Sequence, residues 1–170
     1  MRRTEYILKP SNYLFILFSI ICGLAFNLFP MFGRIIWMPD LLSLIILFWV
    51  SREPYKVSIG SAFILGLIMD VSYATLFGEK ALEYSILAFY AQSMQARLKH
   101  FSFTIQGLHF LPILFIAQFV FFMIHYLQGQ NISNIYWTKP VIEALIWPIL
   151  ANILLIPQKL SHDIDHTRPI

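Results

Sequence analysis

Six apolar runs, at about 13–29, 37–50, 57–73, 81–96, 105–127 and 140–157, fill almost the whole of this 170-residue chain and leave only short polar loops between them. That layout decides the solvent before any single residue is considered. Of the residues 58% are hydrophobic and only 12% charged, where a soluble domain carries roughly a quarter charged residues. A water-soluble fold of this size has nowhere to hide so much apolar surface. The sequence is therefore read as one all-α membrane domain, a bundle of six transmembrane helices. Almost nothing is left over for a soluble domain.

The charge pattern bears on orientation rather than on nucleic acid. A formal charge of +3 is spread between apolar runs and builds no basic groove or stripe. Lys and Arg collect in loops on the cytoplasmic side of a membrane. Arg2, Arg3, Lys9, Arg52, Lys56, Arg97, Lys99, Lys159 and Arg168 fall on one side of a six-span path, against Arg34, Lys80 and Lys139 on the other. The split of nine to three predicts both termini in the cytoplasm. Arg2 and Arg3 before an apolar run also suggest a signal peptide, but no small-x-small cleavage site follows, so that run is read as the first membrane helix. The single cysteine, Cys22, excludes an internal disulfide and is expected to be a small packing residue.

Within the runs, small and polar residues recur at helical spacing. Ser19, Gly23 and Asn27 share one face of the first span, and such a face turns toward neighbouring helices because lipid offers Asn27 no hydrogen-bond partner. Pro39 and Asp40 open the second span, where Asp40 suits the positive end of the helix dipole as a cap; Trp37 and Trp49 near its ends are expected to anchor at the interface. The third span aligns Ser58, Ala62 and Gly66, which suits close helix packing or docking of a partner helix. Asp70 continues that row. An intramembrane acid is a functional candidate by default, with a structural ion pair or a cap for a neighbouring helix as the alternative. Asp40, Asp70 and Glu83, opposed by Arg34, are the candidates to shape an outer pocket. Glu79, Lys80 and Lys139 are expected on a solvated rim, and Glu143 in the same outer layer. Gln118 and His125, seven apart, share a face of the fifth span and are expected to form a buried polar pair. Pro112 and Pro148 are expected to kink their helices, with Asn152 satisfying backbone groups freed near Pro148.

Catalytic signatures do not emerge. There is no glycine-rich phosphate loop, zinc spacing or serine nucleophile elbow, and one intramembrane acid does not make an acid–base pair. His162 and His166 in the tail are four apart but stand in a stretch of solvated composition, so no metal and no cofactor are assigned. The chain is read as non-catalytic.

The block from residue 37 to 84 resembles the MreD family of small membrane proteins in bacterial cell-shape and wall-elongation systems. The residues that carry the resemblance are Pro39-Asp40-Leu41-Leu42 leading to Phe48-Trp49, then Gly60, Gly66-Leu67-x-x-Asp70, and Leu76-x-Gly78-x-x-Ala81-Leu82. Six apolar runs and a late Trp147-Pro148 are similar too. Two positions depart: Ala74, where a glycine often follows the acid, and Phe48, where a tyrosine is common; they bear on a turn and on one polar contact. The resemblance implies a multi-pass protein of the bacterial inner membrane that partners MreC and, with it, links MreB filaments to the polymerase RodA and its cognate penicillin-binding transpeptidase. It also implies a bundle similar to the substrate-binding components of energy-coupling-factor transporters. A small-molecule-binding subunit of a membrane transporter is therefore the alternative reading.

Overall fold

Each apolar run becomes a helix, and the order of packing follows from where the small residues and the charges stand. The computed structural model describes residues 12–29, 38–74, 76–129 and 133–158. Within them lie α1 (Tyr13–Leu28), α2 (Leu41–Arg52), α3 (Ile59–Tyr73), α4 (Glu79–Leu98), α5 (Phe103–Leu127) and α6 (Lys139–Leu155). Short 3-10 segments, Asn134–Thr138 and Ile156–Gln158, flank α6, and no strand occurs among the described residues. Arg34 and Trp37, the basic residues of both ends, and His162 and His166 lie outside the described residues.

α2 is the axis of the bundle. Every residue from Leu42 to Ser51 is buried, the behaviour expected of a helix that is apolar all round. Packed against it are α1, α4 and α6; α4 also carries α3 and α5, and α5 closes back on α6. The result is a ring of α2, α4, α5 and α6, with α1 and α3 flanking it. Central placement corrects the reading of Trp49 as an interfacial anchor. Its ring is fully buried, meets Phe48 edge-on at 5.1 Å, and its Nε1–H donates to Ser19 Oγ on α1 at 2.8 Å. A Trp in lipid-free surroundings needs such a partner.

The α1 stripe behaves as its spacing requires. Ser19, Gly23 and Asn27 are all buried, and Gly23 lies against Leu42 and Ile45. Cys22, expected to pack, is exposed instead, because it stands one position off that stripe. In α3 the row divides. Ala62, Gly66 and Asp70 are buried, and at Gly66 a Cβ would overlap the backbone of Lys80 and Ala81. Only glycine allows α3 and α4 to approach this closely. Ser58 is no part of the contact: it is exposed and caps α3 in a box with Ser61, whose Oγ accepts from the Ser58 amide at 3.0 Å. The α3 helix ends on Ala74 in the left-handed region, φ 51°, the position flagged by the missing glycine.

Outward-facing side chains are apolar on most helices. Leu14, Leu17, Phe18 and Ile21 of α1, Leu108 and Ile116 of α5, and Leu145, Ile149 and Ile153 of α6 are all exposed. Among the described residues two helical stretches, Phe103–Leu127 and Ile135–Gln158, are long and apolar enough to cross a membrane. The others differ from the expected spans: α1, α2 and α3 have 16, 12 and 15 residues, against ~20 for a full crossing. At 12 residues, α2 rises only ~18 Å. α5 and α6 continue as single helices through Pro112 and Pro148. Asn152 Nδ2 donates to the Pro148 carbonyl at 2.7 Å, whereas the carbonyl that loses its donor to Pro148 is that of Ala144, four residues earlier.

Candidate functional site

Antiparallel succession brings one end of every helix to the same end of the bundle: the last turns of α1, α3 and α5 and the first turns of α2, α4 and α6. The buried charged residues among those described all lie there. Asp40, Lys80, Glu83 and Glu143 are buried together with Asn27, Ser43 and Tyr84. No one helix could accommodate these groups in an apolar interior. Each is tolerated because others meet it.

Asp40 is the hub. As the N-cap of α2 its Oδ1 accepts from the Ser43 amide at 3.0 Å, which satisfies one of the open amides of the first turn. The same oxygen accepts from Asn27 Nδ2 of α1 at 2.6 Å. Tyr84 OH of α4 reaches Oδ2 at 2.8 Å, and Lys80 Nζ lies 3.4 Å from that oxygen. The Asp40 amide donates in turn to Glu143 Oε1 of α6 at 3.0 Å. One residue thereby ties α1, α4 and α6 to the start of α2. Capping and network membership are compatible, so the structural role that the sequence assigned to Asp40 is one of several it performs.

Lys80 supplies the cation. Its Nζ donates to Glu83 Oε2 at 2.6 Å, a charge-assisted bond at the short end of the usual range. Lys139 approaches Glu143 Oε1 at 3.7 Å. The expectation of a solvated rim is therefore corrected for Lys80 and Glu79, which are 7% and 4% exposed. Lys80, Glu83 and Tyr84 stand at i, i+3 and i+4, a spacing that places all three on one helical face. That spacing was the signal available in the sequence. Gly78 beside them suggested a loop and drew the reading away from it.

Asp70 does something different from the other acids. Its Oδ2 accepts from the Gly78 amide at 3.0 Å and its Oδ1 from the Lys80 amide at 2.7 Å; the Ala81 amide is 3.3 Å from Oδ2. Asp70 thus caps α4 from the end of α3, where open amides and helix dipole favour a carboxylate. Gly78 has φ 106°, so the turn that presents those amides needs glycine. Of the acids expected around an outer pocket, Asp40 and Glu83 come together through Lys80, and Asp70 serves the neighbouring helix start. Tyr73 OH closes this end by donating to the Asn27 carbonyl at 2.8 Å. In place of the expected bond to Gln118, His125 Nδ1 sits 3.2 Å from the Phe121 carbonyl of its own helix and 3.7 Å from Glu79 Oε1.

The opposite end carries Arg52, Lys56, Arg97 and Lys99 in or beside the other helix termini. The Arg52 guanidinium stacks 5.4 Å from the Phe48 ring and 5.5 Å from that of Phe103. Basic groups at one end and a buried ionic network at the other, joined by helices with apolar outer faces, define a helical membrane protein. The chain belongs to the MreD family: the family model described as rod shape-determining protein MreD matches residues 9–158. It is similar to the rod shape-determining protein MreD of Haemophilus influenzae, with 28% identity over 113 residues, 65% of this chain and 68% of the relative. No solved structure matches the chain. Family membership connects the protein with the determination of rod shape.

Proposed function

We propose that the protein is a non-catalytic scaffold of the inner membrane, with both termini in the cytoplasm, that binds MreC and helps couple MreB filaments to RodA and its penicillin-binding transpeptidase. The observation that carries this reading is how the charged groups of the network are used. Asp40, Glu83 and Glu143 each accept from protein donors on other turns or helices, so their chemistry goes into holding helices together. What faces outward is apolar, a surface suited to lipid and to other membrane helices. Arg52, Lys56, Arg97 and Lys99 at the end opposite the network support the orientation, by the bias of basic loops toward the cytoplasm.

Ala62 and Gly66 pack against α4, which withdraws them from a partner interface and leaves the exposed faces for docking. The likeness to vitamin-transporter subunits belongs to this reading as a shared architecture. The test is affinity purification of the tagged protein from its native membranes in mild detergent, with quantitative mass spectrometry. Near-stoichiometric recovery of a single-span protein with an external domain, together with wall-synthesis enzymes, is the expected result. Recovery of ATPases and a coupling membrane subunit would overturn it in favour of a small-molecule-binding transporter subunit.

A further inference from the structure

Glu79 is the carboxylate at this end that the network does not absorb. It opens α4, outside the apolar stretch 81–96, and is 4% exposed, yet neither Oε1 nor Oε2 has a hydrogen-bond partner. The contact at 3.7 Å from His125 Nδ1 is too long for a hydrogen bond. That nitrogen sits 3.2 Å from the Phe121 carbonyl of its own helix. A carbonyl only accepts, so Nδ1 is assigned the hydrogen on geometric grounds. The imidazole lies over the Phe121 ring at 4.2 Å, and Phe121 stacks on Tyr136 at 5.9 Å, which fixes the plane of the donor.

The titratable and charged groups that act on Glu79 are His125 from α5, Asp70 from α3, and Lys80 and Glu83 from its own helix. The Lys80 ammonium is itself engaged by Glu83 and by Asp40 at the start of α2. A buried carboxylate without donors and with acids nearby is disfavoured in its charged form. Burial pushes Glu79 above the ordinary carboxylate range, and His125 and Lys80 pull the other way.

We propose that Glu79 is a proton-binding site and that its proton sets which acceptor the His125 Nδ1–H uses. With the proton on Glu79, Nδ1–H stays on the Phe121 carbonyl, within α5. When the proton leaves to water, the carboxylate becomes the stronger acceptor and draws Nδ1–H across to α4, forming a charge-assisted bond between the two helices. One O–H bond breaks and one hydrogen bond changes acceptor; nothing is oxidised or reduced. The contact between α4 and α5 at this end thereby responds to the pH of the compartment it faces.

The test uses the full chain in lipid nanodiscs and a hydrophobic carbodiimide, which modifies protonated carboxyl groups in apolar surroundings. Labelling of Glu79, read by peptide mass spectrometry across pH, is expected to fall with rising pH at a midpoint above the ordinary ~4.3. In H125F, where the anion has lost its donor, the midpoint is expected to move further up. A midpoint in the ordinary range, no labelling at any pH, or an unmoved midpoint in H125F would each overturn the proposal. Stability supplies a second readout. A group whose folded pKa is raised makes the folded state bind more protons, so stability falls as pH rises from the ordinary value through the raised one. E79Q is expected to flatten that fall; an unchanged slope in E79Q would overturn the assignment to Glu79.

Discussion

Replacing Lys80 by Met is the most direct trial of the network. The substitution keeps a long unbranched side chain of similar volume and removes the ammonium from between Glu83 and Asp40. Asp40 retains Asn27, the Ser43 amide and Tyr84 as donors, so it stays largely satisfied. Glu83 loses the 2.6 Å bond from Lys80 and is left as a buried acid. Breaking a buried pair by removing one partner costs about 3–5 kcal/mol, and the uneven compensation puts most of that cost at Glu83. Adding E83Q to K80M should then recover about 1–3 kcal/mol, the coupling expected of residues in one network. The assay is equilibrium unfolding in bicelles by steric trapping, run on the wild type, both single variants and the double variant. A K80M variant within about 1 kcal/mol of wild type, or a double variant no more stable than K80M, would refute the reasoning; ~1 kcal/mol is the level of an exposed pair.

Three further outcomes follow from the same geometry. D70A removes the acceptor for the first amides of α4 and is expected to cost ~1–2 kcal/mol, the upper part of the capping range, measured as a drop in unfolding free energy with more hydrogen exchange at residues 78–81. G66A should cost ~1–3 kcal/mol by forcing α3 away from α4; a cysteine pair across that contact would cross-link more slowly in the variant. A74G reverses the usual sign: Ala at φ 51° carries a left-handed penalty of ~1–2 kcal/mol, which exceeds the ~0.5–1 kcal/mol entropic cost of glycine. The thermal midpoint of A74G should therefore rise, and a fall would show that the turn is held by something else.

Helix positions were legible because the signal is local: an apolar run in a chain with so few charges can only be a helix, and Asn27, Gly23 and Ser19 mark the packed face of α1 by spacing alone. Gly66 announced a close approach for the same reason. What resisted was anything decided by distance along the chain. Asp40 meets Lys80 across 40 positions and Glu143 across 103, and periodicity carries no information about such pairs. Lys80 and Glu79 follow a glycine turn, a context that reads as solvent, and their burial comes from α2, α3 and α5 closing over the start of α4. Trp49 misled in the opposite way. Its position at the end of a short run fits an anchor, and only the placement of α2 at the centre shows that both ends of that helix are enclosed.

Why so much charge is buried at one end follows from what lipid fails to supply. Apolar side chains gain little by meeting one another when the alternative is an equally apolar acyl chain, so the greasy faces of α1, α3, α5 and α6 do little to say which helices should be neighbours. Two features do say it. Gly66 admits only a backbone that comes as close as Ala81 does, which selects α4 as the partner of α3. Asp40 requires three donors and a cation from α1, α2 and α4 and offers its amide to α6; an arrangement that omits one of these helices leaves an uncompensated polar group. Such networks contribute less to stability than a packed apolar core of the same volume, and we infer that this one acts on which arrangement forms. A bundle fixed at one end by buried polar groups and apolar over its outer faces presents a constant surface to neighbours in the membrane, which is what the proposed scaffold role requires.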